Sequence, residues 1–136
     1  MDSSVYSEII LELYRNPPNY GKLVDCNLHA SGGNPSCGDM VSFEAKIEEG
    51  KISDVRFTAT GCAISKAGCA MLTEMVKGKA VKDTLKLEGK DLFENMGDVI
   101  QTRTKCALLG LVVLKRGLEK FEENKMEKTV VEGIKI

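Results

Sequence analysis

Residues 41–62, VSFEAKIEEGKISDVRFTATGC, decide the fold of this chain. Apolar and polar residues alternate through 41–48 and again through 54–60, and the short connection 49–51 between the two runs contains Gly50. A period of two places successive side chains on opposite faces of a strand, and a tight connection with Gly joins antiparallel neighbours. This stretch therefore predicts a β-hairpin with one buried face.

Upstream of the hairpin, apolar residues at every second position from Val24 to Ala30, Cys26 among them, predict a further strand. The segment SGGNPS at 31–36 combines Gly, Asn, Pro and Ser, which is typical of a turn. Three strands joined by short turns predict an antiparallel meander.

Helical periodicity replaces the period of two on both sides of these strands. The predicted helices are 4–15, begun by Ser3 or Ser4 and stopped by Pro17-Pro18, a helix from Gly61-Cys62 to Gly78, short pieces at VKDTL (81–85) and DLFENM (91–96), and a last helix from about Arg103 to Asn124. Residues 125–136 fit either a loose tail or an added edge strand. The sequence therefore predicts one α+β domain over 1–124, with a three-stranded antiparallel sheet packed against helices, and a C-terminal tail.

Composition argues against several classes of function. The net charge is −1, aromatic residues make up 5% and Trp is absent, so there is little case for nucleic-acid binding. The N-terminus, MDSSVYSE, lacks the features of a signal peptide, and the longest apolar run, 107–114, is too short to cross a bilayer. We therefore expect a cytoplasmic protein with neither nucleic acid nor membrane as a partner.

The cysteines are the residues most able to carry chemistry. They are Cys26, Cys37, Cys62, Cys69 and Cys106. In a reducing compartment, spaced cysteines indicate metal or redox chemistry more than disulfides. Cys37 precedes a predicted strand, Cys62 lies between a strand and a helix, and Cys106 is in the first turn of the last helix. All three stand at ends of elements, where side chains can converge.

Asp39 completes a candidate site with these three cysteines. It lies two residues from Cys37 and, in an extended segment, on the same side. Helix N-termini stabilise thiolates, so a lowered pKa is expected for Cys62 and Cys106. Three thiolates and one carboxylate make a plausible four-ligand site for zinc or iron. The spacing matches no CxxC metal pattern, so cysteines without a shared role are the competing interpretation.

The remaining candidates favour structural interpretations. Cys26 falls on the apolar side of a predicted strand, as a small buried residue does. Cys69 lies two turns beyond Cys62 on one helix, below the site, with a reserve role as a neighbouring thiol. His29 is interpreted as a surface residue, which leaves a cysteine-nucleophile enzyme without an evident base. A purely structural zinc domain is a further alternative, although a core of this size is expected to fold without metal.

Four segments stand in order along the chain: NPSCGD at 34–39, GKISDVRFTATGCAIS at 50–65, MLTEMVKGK at 71–79 and RTKCALLGL at 103–111. In these segments the chain resembles the U-type iron–sulfur scaffold family of IscU, SufU and the N-terminal domain of NifU. The resemblance extends over roughly residues 5–122. The resemblance implies the fold of that family and ligand roles for Cys37, Asp39, Cys62 and Cys106. It also implies that the Asp helps to keep a cluster labile or completes a zinc site.

One residue departs from the IscU branch. That branch has His immediately before the third Cys, whereas this chain has Lys105, which is similar to the zinc-binding SufU branch. The short separation of Cys62 and Cys106 is similar to the IscU branch instead. A protonated Lys does not ligate a metal but can offset negative charge, so we assign Lys105 a modulating role.

The resemblance thus implies an assembly scaffold. Such a protein accepts sulfur from a cysteine desulfurase, builds a labile cluster of the 2Fe-2S type and passes it to recipient apoproteins, with Cys106 and Cys37 as candidate sulfur acceptors. The alternative is a SufU-like zinc-dependent sulfur acceptor, a sulfurtransferase, with zinc in the same site. The first is a carrier rather than an enzyme, and the sequence leaves a homodimer open.

Overall fold

The computed structural model describes residues 8–97, 103–125 and 127–136. Its elements follow in the order α1 (Glu8–Arg15), β1 (Leu28–Asn34), β2 (Asp39–Glu48), β3 (Lys51–Thr60), α2 (Ala63–Val76), α3 (Val81–Leu85), α4 (Gly89–Met96), α5 (Thr104–Glu123) and β4 (Thr129–Lys135). None of the described helices is long and apolar enough to cross a membrane.

The sheet has four strands in the order β3-β2-β1-β4. β1 pairs with β2 and β2 with β3 in antiparallel orientation, which confirms the predicted meander. The prediction of a three-stranded sheet is wrong, because β4 pairs with β1 in parallel, with Leu28 opposite Thr129 and Gly33 opposite Lys135. Of the two alternatives for 125–136, the structure shows the added edge strand.

The β2–β3 hairpin closes as its sequence predicts. Glu49 and Gly50 form the two-residue connection with φ values of 52° and 76°, as in the type I′ turns whose twist matches that of the flanking strands. The change of period at Gly61 is confirmed too, because α2 begins at Ala63, directly after β3.

The first strand is displaced from its predicted position. β1 begins at Leu28, and just before it the Asn27 side chain pairs with the backbone of Ile47. The side-chain amide donates to the Ile47 carbonyl and the side-chain oxygen accepts from the Ile47 amide, both at 2.8 Å. Val24 is fully exposed, and Cys26 is half-buried outside the strand. The predicted place of Cys26 on the apolar side of a strand is therefore wrong.

Gly32 and Gly33, predicted as part of a turn, lie inside β1 because other backbones approach them closely. A Cβ on Gly32 would collide with the Ile134 carbonyl of β4, and a Cβ on Gly33 would lie 2.7 Å from the Asp39 carbonyl of β2. The two glycines therefore let three strands converge beside the β1–β2 turn.

Helices α2 and α5 pack on each other and on the sheet, and small residues let them approach. A Cβ on Gly68 of α2 would lie 2.7 Å from the Ala107 carbonyl, and a Cβ on Gly110 of α5 would lie 2.7 Å from Cys69 Sγ. Glycine inside a helix costs about 1 kcal/mol relative to Ala. Here it permits the close packing that fixes the first turns of both helices relative to each other.

The other predicted helices are confirmed where the chain is described. The pieces at 81–85 and 91–96 correspond to α3 and α4, and the last predicted helix is α5. The start of the first helix at Ser3 or Ser4 lies outside the described residues, as does the segment 98–102.

Candidate metal centre

Three ends of elements meet at one end of the sheet. The β1–β2 turn contributes Cys37 and the first residue of β2, Asp39, while the N-terminus of α2 contributes Cys62 and the first turn of α5 contributes Cys106. The ligand atoms of Cys37, Asp39 and Cys106 all lie within 4.8 Å of one another. The fourth predicted ligand, Cys62, is not part of this group of three, but it contacts the group through Asp39, with its Sγ 3.4 Å from Oδ2.

The β1–β2 turn is built around Asn34, the last residue of β1. The Asn34 carbonyl accepts the amides of Cys37 at 3.3 Å and Gly38 at 2.9 Å. Gly38 has a φ of 76°, a conformation that glycine adopts without strain. The turn places Cys37 Sγ 3.1 Å from Asp39 Oδ2 and 3.9 Å from Cys106 Sγ.

Asp39 is the centre of the cluster and is only 2% exposed. Its Oδ1 accepts the Cys62 amide at 2.8 Å, and its Oδ2 accepts the Ser65 hydroxyl at 2.5 Å and the Cys37 thiol at 3.1 Å. Gly61 permits this approach, because a Cβ there would collide with the Asp39 carboxylate. A buried charge is costly unless it is hydrogen-bonded, and both oxygens of this carboxylate are.

These hydrogen bonds keep Asp39 ionised. Burial alone would raise the pKa of its carboxyl, but the Ser65 hydroxyl first, and then two cysteine thiols and the Cys62 amide, outweigh burial and lower the pKa to about 2. The carboxylate is therefore negative at every pH at which the protein is expected to work, and it is available to a cation.

The expectation of a lowered pKa at the N-terminus of α5 is wrong for Cys106. Burial first, and then hydrogen bonds with Asp39 and Cys62, raise the pKa of the Cys106 thiol to about 12. Cys106 is 4% exposed, so desolvation outweighs the helix dipole. In the metal-free protein this thiol is therefore protonated, and a metal ion that binds it must displace the proton.

The other sequence candidates lie apart from this cluster. Cys69 is fully buried in the middle of α2, where burial raises the pKa of its thiol. His29 Nδ1 lies 3.6 Å from Glu44 Oε2, between β1 and β2. Lys105 is exposed in the first turn of α5, and its modulating role stays a prediction.

Ser65 belongs to the site as well, although it is not among the residues predicted from the sequence. This residue is 1% exposed in the first turn of α2, and its Oγ lies 2.5 Å from Asp39 Oδ2 and 3.4 Å from Cys62 Sγ. Its position three residues after Cys62 was the available signal, because residues three apart share a face of a helix.

The donor set fits zinc or iron. Three thiols and one carboxylate supply the sulfur and oxygen ligands that Zn²⁺ and iron–sulfur clusters take from proteins. Cys37 is exposed whereas Cys106 and Asp39 are buried, so the group is open to the surface at the β1–β2 turn. Ligation by Cys37, Asp39, Cys62 and Cys106 stays a prediction.

Comparisons with known proteins support the resemblance. Residues 5–128 match the model of the family described as NifU-like N terminal domain. The chain is 43% identical over 111 residues to the iron-sulfur cluster assembly scaffold protein IscU of Aquifex aeolicus, covering 80% of this chain and 71% of that protein. It is 30% identical over 137 residues to the zinc-dependent sulfurtransferase SufU of Bacillus subtilis, covering 88% of this chain and 92% of that protein.

Solved structures share the fold. A chain described as a scaffold for the SUF system of Fervidobacterium islandicum AW-1 superposes with a TM-score of 0.74 at 27% identity, covering 87% of this chain and 99% of that one. The N-terminal part of a NifU-like protein from Brucella abortus gives a TM-score of 0.73 at 20% identity, covering 89% and 96%. The predicted α+β architecture is confirmed, while β4 begins just beyond the residues that match the family model.

Proposed function

The chain belongs to the family of NifU-like N-terminal domains, and from that premise we propose that it is an iron–sulfur cluster assembly scaffold. It accepts sulfur from a cysteine desulfurase, takes up iron, and holds a labile [2Fe–2S] cluster as cargo for recipient apoproteins. The observation that carries the proposal is the convergence of Cys37, Asp39 and Cys106 within 4.8 Å, in a chain 43% identical to a relative named for this function.

The two kinds of ligand differ in how firmly they would bind a cluster. The cysteine thiolates are soft ligands that iron–sulfur clusters prefer, whereas the Asp39 carboxylate is harder and exchanges more easily. One exchangeable ligand among four lets the site open without losing its cargo at once. We therefore assign retention to Cys37, Cys62 and Cys106 and lability to Asp39.

Sulfur acceptance is assigned to Cys37 rather than Cys106. Cys37 is exposed on the β1–β2 turn, whereas Cys106 is 4% exposed, so only the first is directly within reach of a partner's persulfide. The Cys37 thiolate attacks the outer sulfur of the desulfurase persulfide and forms a new S–S bond, while the desulfurase cysteine leaves as a thiolate. Cys106 then serves as a ligand beside it.

A zinc-dependent sulfur acceptor is the second candidate function. Two observations favour it: Lys105 stands where the IscU branch has a His ligand, and a relative 30% identical is named a zinc-dependent sulfurtransferase. Three thiolates and one carboxylate would give Zn²⁺ its usual four ligands. In that function, Cys37, Asp39, Cys62 and Cys106 would hold the zinc, and Cys37, the exposed thiol of the four, would be the one to accept sulfur.

Anaerobic assembly separates the two functions. The chain is incubated with a cysteine desulfurase, cysteine, a thiol reductant and ferrous iron, and iron, zinc and acid-labile sulfide per chain are measured with the absorption spectrum. The scaffold proposal predicts a brown protein with equal amounts of iron and sulfide. When this protein is mixed with an apo-ferredoxin, the absorption spectrum of the holo-ferredoxin should appear. A colourless protein that keeps one zinc per chain and acquires only persulfide sulfur contradicts the scaffold and supports the acceptor.

A further inference from the structure

Ser65 makes an unusually close set of contacts for a residue with no ligand role. It is 1% exposed, its backbone is fixed in the first turn of α2, and its hydroxyl has two acceptors within reach. Asp39 Oδ2 lies 2.5 Å away and Cys62 Sγ lies 3.4 Å away. A hydroxyl has one proton to donate, so it can satisfy only one of the two at a time.

Metal binding would change the partners of Asp39 Oδ2. Without metal, the thiols of Cys37 and Cys62 donate to this oxygen together with Ser65. A metal-bound sulfur is a thiolate, which has no proton and only accepts. Of these three neighbours, Ser65 is the one that still has a proton to donate to the carboxylate once the sulfurs are ligands.

We propose that Ser65 is a positioning residue that makes Asp39 an exchangeable ligand, and the proposal rests on the metal site of the proposed function. When Asp39 binds the metal, the Ser65 hydroxyl donates to Cys62 Sγ. When Asp39 dissociates, the hydroxyl donates to Oδ2, so that this buried oxygen has a donor while Oδ1 keeps the Cys62 amide. The hydroxyl thereby stabilises the state with Asp39 detached, through which ligand exchange and release proceed.

Removal of the hydroxyl tests this directly. In the full chain loaded with Zn²⁺, Ser65→Ala is expected to keep one zinc per chain but to release it to excess chelator several-fold more slowly. The variant loses a hydrogen bond in both states, and the bond to the carboxylate oxygen in the detached state is stronger than the bond to the Cys62 sulfur in the attached state. Thr73→Val is the matched control, because it removes another buried hydroxyl of α2 that donates to Ala70. The control is expected to release zinc at the wild-type rate.

A double-mutant cycle distinguishes positioning from a structural role. Ser65→Ala is expected to have no effect on release in an Asp39→Ala background, because there is then no carboxylate to which the hydroxyl can donate. An equal slowing in both backgrounds, or faster release from Ser65→Ala, overturns the proposal. If Ser65→Ala alone does not fold, as judged by circular dichroism, the comparison of Asp39→Ala with the double variant still decides, and a difference between them contradicts the proposal.

The outcomes also separate this inference from the function on which it rests. A wild-type chain that binds neither zinc nor iron at one site contradicts the metal centre itself. A wild-type chain that binds zinc normally, with Ser65→Ala releasing it at the same rate, leaves the metal centre intact and rejects only the role of Ser65.

Discussion

The two ends of the β1–β2 pair hold their carboxylates in different ways. Near the start of β1, Glu44 pairs with His29 on a partly exposed surface, and Asp25 pairs with Lys46. At the other end, Asp39 is buried and its hydrogen bonds come from thiols, a hydroxyl and a backbone amide. Exposed ion pairs contribute little to stability, whereas thiols that surround a buried carboxylate can change from donors into metal ligands. The difference indicates which end of the sheet is built to receive a cation.

The largest effect is expected from single Ser substitutions of the cysteines. Cys37→Ser, Cys62→Ser and Cys106→Ser should each lose bound metal, because each removes one of four ligands. Cys26→Ser and Cys69→Ser should keep it, since these cysteines lie outside the cluster. Metal per chain, measured by elemental analysis after anaerobic purification, checks both groups. Full metal content in Cys62→Ser would show that Cys62 is not a ligand. It would also show that a position at the end of a helix or strand does not identify the metal-binding cysteines.

The zinc affinity of the site around Asp39 is expected to depend strongly on pH. Because the pKa of Cys106 is raised to about 12, its thiol keeps its proton through the neutral range, and zinc binding releases that proton. Zinc affinity should therefore rise about tenfold per pH unit for each proton released. Competition with a chelator at pH 6.5 and pH 7.5 measures this slope.

Glu44→Gln is the control for the pH dependence, since it changes a carboxylate near the other end of the pair. The slope of zinc affinity against pH should be the same in this variant as in the wild-type chain. A zinc affinity that does not change between the two pH values would mean that the thiols are already ionised in the metal-free protein.

A moderate effect is expected from Asp39→Ala. Removing the exchangeable oxygen ligand should leave a cluster that persists longer and is transferred several-fold more slowly to an acceptor apoprotein. Glu44→Ala should transfer at the wild-type rate. Time courses of transfer for the two variants beside the wild type provide the measurement, and faster transfer from Asp39→Ala would reverse the role assigned to this carboxylate.

The smallest effect is expected from Lys105, which is exposed beside the cluster. Lys105→Met should slow sulfur acceptance from a desulfurase by about two- to threefold, the size of a weak exposed electrostatic contribution, while metal still binds. Lys105→His should lengthen the anaerobic lifetime of a cluster by supplying a ligand. Lys120→Met, at the other end of α5, should change neither. Loss of metal in Lys105→Met would make Lys105 a ligand, contrary to the modulating role.

The features that could be predicted from the sequence are those that depend on neighbouring residues alone. The hairpin and the change to helix at Gly61 follow from local periodicity, and so does the placement of Cys37, Cys62 and Cys106 at ends of elements. An edge strand was one of two alternatives for residues 125–136, but its pairing could not be predicted, because β4 lies parallel to β1, which is about a hundred positions earlier in the chain. The prediction of a turn at Gly32 is wrong for the same reason, because the Ile134 carbonyl that leaves no room for a side chain there belongs to β4.

The sequence predicted which side chains come together at the candidate site, but not the electrostatics of the site. Helix position alone favoured a low pKa for Cys106, whereas burial and the adjacent Asp39 carboxylate raise it. Burial and neighbouring charge depend on how α5 packs against the β1–β2 turn, and no local pattern carries that information. Ser65 was missed because its role depends on Asp39, which lies on a different element.

X-ray absorption at the zinc edge tests the central claim, that three cysteines and one carboxylate form a single metal site, most directly. For the chain loaded with one Zn²⁺, we expect three sulfur ligands at about 2.3 Å and one oxygen ligand at about 2.0–2.2 Å. Asp39→Ala should keep the three sulfur ligands at the same distance. Four sulfur ligands, or two or fewer, in the wild-type chain would contradict the account, because Cys37, Cys62, Cys106 and Asp39 would then not form one site.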